Sequence, residues 1–136
     1  MKVTSITDLH GSWRLRRRVR DAFAGQHATF EGSATFTRAG ANWLYRETGT
    51  LSHSGGQFQA SRQYLFDARP NGVAVSFDDG RPFHEFSWVA PIARHDCSPD
   101  RYHVAYRFSD WPRWSVGYCV CGPRKSYTIS SEYCRP

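Results

Sequence analysis

From Ser12 to the C-terminus, large apolar side chains alternate with polar ones at a period of two. That spacing marks half-buried β-strands. Nine segments follow it: Ser12–Arg20, Gln26–Arg38, Trp43–Leu51, Phe58–Asp67, Gly72–Phe77, His84–Ala90, Arg101–Phe108, Trp114–Cys121 and Arg124–Tyr133. Turn residues separate them, among them Ala39-Gly40-Ala41-Asn42, Ser54-Gly55-Gly56, Arg69-Pro70-Asn71-Gly72 and Gly122-Pro123. Only the first ten residues read as a short helix. The connections are too short for crossover helices, so the predicted sheet is an antiparallel meander. Closing it into an up-and-down barrel of eight to ten strands removes edges that a flat sheet would expose. With 136 residues, positions 1–136 make one all-β domain, its N-terminal segment closing one end.

Fixing each strand's inner face from Trp, Phe, Leu, Ile and Val alone sends all seven tyrosines inward. They are Tyr45, Tyr64, Tyr102, Tyr106, Tyr118, Tyr127 and Tyr133. An interior that wants both aromatic volume and hydroxyls suits a ligand better than a dry core. Composition points the same way, since nine Phe, seven Tyr and five Trp stand against one Met, so rigid rings must fill the inside. Arg17, Glu47 and Arg62 share the inward phase near mid-strand. Glu47 satisfies only one guanidinium well, and the surplus positive charge predicts a ligand with an anionic group. The candidate ligand set is Arg17, Glu47, Arg62, Tyr45, Tyr64, Tyr106, Tyr118 and Tyr127. A purely structural Arg–Glu–Arg network is the alternative.

Register is testable at two hairpins. A loop at Ser52–Gln57 pairs Leu51 with Phe58, Trp43 with Phe66, Tyr45 with Tyr64 and Glu47 with Arg62, four matches in size or charge. A turn at Gly122-Pro123 pairs Tyr118 with Tyr127 and Val116 with Ile129. In the sixth strand, Phe83 and Phe86 demand opposite faces. Counting strand parity from the first puts His10, Trp13, a loop at Ile92–Asp100 and the turn Gly122–Lys125 at the bottom. The same count puts Ser52–Ser54, Asp78–Arg81 and Asp110–Arg113 at the top.

Other clusters carry competing chemistry. His95-x-Cys97 with Asp100 and His10 could hold zinc or pair a thiol with an imidazole, but a loop hydrogen-bonding to its own backbone explains it better. An enzyme on this barrel, an isomerase, cyclase or hydrolase, would use His84 or His95 as general base. Cys119 and Cys121 face outward two residues apart, a spacing of about 7 Å that suits no disulfide. No metal or cofactor is expected. Arg14, Arg16, Arg18 and Arg20 form an outward stripe about 20 Å long. With a net charge of +6, a nucleic-acid or acidic partner is conceivable, but a solvated face or a homodimer contact is favoured. No apolar run reaches the roughly 20 residues of a membrane span, and the first residues lack a signal-peptide core, so a soluble cytoplasmic protein is expected.

Two resemblances bear on these readings. Gly11-Ser12-Trp13, opening the first strand, resembles the Gly-x-Trp signature of calycin (lipocalin-like) barrels. In those barrels a basic residue near the last strand stacks on the indole, which implies a structural base of Trp13 with Arg124 or Lys125. The whole chain also resembles a bacterial family known only as a domain of unknown function. The shared residues are Gly11-Ser12-Trp13, Asp79-Gly80-Arg81, Phe83-His84-x-Phe86, His95-x-Cys97, Asp100-x-Tyr102, Trp111-x-x-Trp114 and Gly122-Pro123-Arg124-Lys125-x-Tyr127. This second resemblance implies no activity.

Overall fold

A computed structural model describes residues 2–136. A 3₁₀ turn at Ile6–Leu9 precedes ten strands: β1 Gly11–Asp21, β2 Gln26–Ala39, β3 Asn42–His53, β4 Gly56–Arg69, β5 Gly72–Phe77, β6 Pro82–Ser87, β7 Ile92–Cys97, β8 Asp100–Arg107, β9 Trp114–Gly122 and β10 Lys125–Cys134. They form one antiparallel sheet in the order β6-β5-β4-β3-β2-β1-β10-β9-β8-β7. The sheet curls into a nearly closed barrel, with β6 and β7 meeting at a seam that has no backbone ladder. Side chains zip that seam, reaching from β6 to β7 and past it to β8. His84 Nε2 lies 2.7 Å from the Tyr106 hydroxyl, and Phe86 stacks on Tyr106 at 4.0 Å between ring centroids. Phe83 and His95 meet edge to face at 5.5 Å.

The tenth strand is β7, which sequence reading treats as the loop Ile92–Asp100. Its residues Arg94-His95-Asp96-Cys97 show no apolar alternation, and Ala93 is its one buried residue. One missed strand reverses the parity of everything after it. The β7–β8 turn and Gly122–Lys125 therefore lie at the top, and Trp111-Pro112 lies at the bottom.

The base consequently differs from the one implied by resemblance. Arg124 and Lys125 sit at the far end from Trp13, where Lys125 pairs with Asp100 at 3.1 Å. The cation over Trp13 is Arg135, its guanidinium carbon 3.7 Å from the ring centroid. Arg135 also donates to the Ser12 carbonyl at 3.0 Å. Trp13 is fully buried, donates Nε1–H to the Leu9 carbonyl at 2.8 Å and packs against Trp111 and Trp114. The 3₁₀ turn that carries Leu9 is held by a capping box between Ser5 and Asp8. Ile6 and Leu9 complete the plug.

The β3–β4 register is the expected one, Glu47 opposite Arg62 included. The last hairpin is shifted by two residues: Tyr127 pairs with Val120 and Ile129 with Tyr118. An even shift keeps the same residues inside. The conflict between Phe83 and Phe86 is resolved by a bulge, the β5–β6 pairing slipping between Val75 and Ser76. Both rings thereby point inward, and both are buried.

Candidate functional site

The barrel encloses a cavity of about 790 Å³. Its lining runs from Tyr45, Phe66, Val75 and Trp114 in the depths to Tyr102, Tyr127 and Asp78 beside the upper turns. The base plug blocks the lower end, so the mouth is at the top. Because every inner position belongs to a pleated strand, the period-two pattern delivers its residues to this one space. All seven tyrosines line it.

Its polar centre is built across three strands. Arg17 on β1 makes a bidentate ion pair with Glu47 on β3, at 2.5 and 2.9 Å, and its Nε donates to Ser131 Oγ on β10 at 2.7 Å. Strand β2 lies between them, and its inner residues there, Gly32 and Ala34, are too small to obstruct the reach. Gly32 and Gly49 face each other so closely that a Cβ on Gly49 would stand 2.3 Å from the Glu31 carbonyl oxygen. The Phe30 ring packs over that gap, with the Arg17 guanidinium above it at 5.4 Å.

Glu47 is 2 % exposed, so its charge must be compensated. Burial pushes its carboxyl up, but the Arg17 hydrogen bonds outweigh that and hold it below the usual range. Burial likewise opposes the charge on Arg17, and Glu47 more than restores it. Glu47 takes one more hydrogen bond, from the Tyr45 hydroxyl at 2.7 Å, and Tyr45 in turn touches the Tyr133 hydroxyl at 2.7 Å. Burial holds both phenols above their ordinary range, Tyr133 at about 12, so both are neutral.

Arg62 stands apart from this pair. Although in register with Glu47, its guanidinium donates to the Tyr64 hydroxyl at 3.1 Å and makes no ion pair within 4.0 Å among the described residues. Its side chain is reached by solvent from the mouth. Glu47 is thus saturated by Arg17 and Tyr45, and Arg62 is the cation in the wall with charge to spare.

The remaining candidates divide. Tyr106, Tyr118 and Tyr127 line the cavity. His84 does not line it directly. It is 5 % exposed, meets the lining from behind through Tyr106, Phe83 and Tyr118, and burial with nearby His95 pulls its pKa down to about 4. Its Nδ1 has no hydrogen-bond partner among the described residues. His95 is half-buried against Phe83 and Tyr102. Among the described residues no three His, Cys, Asp or Glu side chains converge as metal ligands, and Cys97, Cys119 and Cys121 are exposed. Sequence reasoning misses Ser131, which is wholly buried on Arg17; its inward phase and its place opposite Arg17 on β10 are the available signals. It also leaves out the rings of Phe77 and Phe83, which form one wall with Tyr64 and Tyr118. No helix is long and apolar enough to cross a membrane among the described residues.

Comparison with known proteins agrees with this architecture. The S-type phycobiliprotein lyase CPES from Guillardia theta has a similar fold, with a TM-score of 0.67 over 96 % of this chain and 89 % of that one. The two share 10 % sequence identity, so the likeness is one of fold. No curated protein matches the chain by sequence. A family model does, across residues 9–135, and the chain belongs to that family of unknown function, DUF6314.

Proposed function

We propose that this barrel binds a small, partly apolar molecule through an acidic group held at Arg62. The observation that carries the reading is the division of labour between two arginines in one wall. Arg17 is consumed by Glu47, while among the described residues the Arg62 guanidinium hydrogen-bonds only a neutral phenol. An exposed guanidinium on the wall of a largely aromatic cavity favours a carboxylate, sulfonate or phosphate, with the Tyr64 hydroxyl as a further donor. The cavity volume falls within the range of small-molecule sites.

The similar lyase makes a bilin, an open-chain tetrapyrrole with two propionates, a reasonable first compound to try. The enzymatic alternative has less support, because His84 is held by Tyr106 away from the lining and, with its pKa pulled down to about 4, is a weak base.

Binding is measured by fluorescence titration with 1-anilinonaphthalene-8-sulfonate and by absorbance titration with biliverdin. Arg62→Ala should weaken both at least tenfold, while Arg16→Ala, on the outer face, should change neither. Equal losses in the two variants would sink the reading.

A further inference from the structure

The proton directions around Glu47 place a second requirement on the ligand, one that rests on the reading above. Glu47 is an ionised acceptor gripped by both Arg17 Nη atoms, so the Tyr45 contact at 2.7 Å has Tyr45 as donor. A phenol carries one hydrogen. With that of Tyr45 committed to Glu47, the 2.7 Å contact between Tyr45 and Tyr133 is a hydrogen bond donated by Tyr133. The single hydrogen of Tyr133 is therefore committed too. Its oxygen, on a residue that lines the cavity and lies beside the Arg17 guanidinium, retains only lone pairs for anything else.

Tyr64 is oriented the other way. Its oxygen accepts from Arg62 Nη1, so its hydrogen is free to donate. The cavity thus presents donors at Arg62 and Tyr64 and an acceptor at Tyr133. The acceptor is firmly placed, since the Tyr133 ring lies coplanar on Trp114, with centroids 3.8 Å apart and planes 3° apart.

We infer that the ligand carries an N–H or O–H donor in addition to its acid, and that Tyr133 selects for it. The class implied is a heteroaromatic acid with a ring N–H, or a hydroxylated acid, in preference to a fatty acid or a plain aryl acid. A donor-free ligand would desolvate the Tyr133 oxygen without replacing its hydrogen bond.

An isosteric pair tests this. Carbazole-3-carboxylate and dibenzofuran-2-carboxylate have the same three-ring shape and acid, and differ by N–H against O. Isothermal titration calorimetry on the wild-type protein should favour the carbazole by about five- to tenfold, the value of one neutral hydrogen bond. Tyr133→Phe should abolish the preference by weakening the carbazole alone. Equal wild-type affinities that both fall in Arg62→Ala would overturn the donor requirement and leave the acid site standing. Affinities indifferent to Arg62→Ala would overturn the acid site itself. If Tyr133→Phe fails to fold, the wild-type ratio decides.

Discussion

Arg135 lays its guanidinium 3.7 Å from the Trp13 ring centroid and joins the last residues of the chain to the first strand. The same side chain hydrogen-bonds the Ser12 carbonyl and reaches to 3.5 Å from that of Asp8. One residue thus ties the end of β10, the start of β1 and the 3₁₀ turn that plugs the barrel. The indole beneath it is fixed from its other side by the Leu9 carbonyl, so neither partner is free to drift.

Arg135→Ala should lower the melting temperature measured by circular dichroism, by a ΔΔG of about 1 kcal/mol from the cation–π contact and more from the two carbonyls. Arg124→Ala should leave it unchanged. Lys125→Ala removes only a surface ion pair and should cost between 0 and about 1 kcal/mol. If Arg124→Ala proved the more damaging of the two arginine variants, the base described here would be wrong.

Outside β6 and β7, the inside and outside of the strands are readable in the sequence because the period of two holds and the tyrosines never break it. Even the two-residue error at the last hairpin leaves Tyr127 and Ile129 facing the cavity. What resists reading is set by contacts between strands distant in sequence. Strand β7 carries no apolar signal because its inner face meets the seam through His95 and the small Ala93. Losing it moves Trp111 and Lys125 to opposite ends of the molecule. The choice of Arg17 over Arg62 by Glu47 is hidden as well. Register places Arg62 directly across from Glu47, but the bonds form over β2, where Gly32 leaves the path open.

Glu47→Ala would leave the Arg17 guanidinium buried beside Ser131 with no counter-charge. Removing one member of a buried pair costs about 3–5 kcal/mol, whereas replacing both by apolar groups of similar volume is often close to neutral. Chemical denaturation should therefore show a large loss for Glu47→Ala and substantial recovery in the double variant Arg17→Met with Glu47→Leu. Additive losses in the double variant would mean that the pair is not the unit of stability. The folded-state carboxyl lies below its ordinary value of 4.5, so its contribution is present above that pH and is lost as the pH falls below it.

Gly49→Ala should be among the costliest single-methyl changes in the protein. The added Cβ would meet the Glu31 carbonyl oxygen at 2.3 Å and the Gly32 Cα at 2.7 Å, and both are backbone atoms that cannot rotate away. Overpacking of this kind costs about 1–3 kcal/mol. It should also displace Phe30 and weaken the anion probe at Arg62 by disturbing the layer below. Gly40→Ala is the informative contrast, because nothing lies within 4 Å of its added Cβ and its penalty comes only from a φ of +63°. Denaturation midpoints that ranked Gly40→Ala below Gly49→Ala would go against the close approach of β2 and β3.

Acid should loosen the β6–β7 seam before it reaches Glu47. Burial, with a smaller effect from His95, holds His84 at about 4 in the folded state against an ordinary 6.5. A histidine with a depressed folded value contributes no penalty above about pH 6.5. Stability then falls as the pH drops from there towards 4, because the unfolded chain takes up the proton first. The full difference is on the order of 3 kcal/mol, for a side chain only 5 % exposed. His84→Gln keeps an amide that can meet the Tyr106 hydroxyl and carries no titrating group. Its denaturation midpoint should be nearly flat between pH 6.5 and 4.5, where the wild-type curve slopes. Hydrogen exchange should show the wild-type amides of β6 and β7 losing protection over the same interval, ahead of those in β1 to β3. A wild-type curve as flat as that of His84→Gln would mean that the imidazole protonates without disturbing the seam.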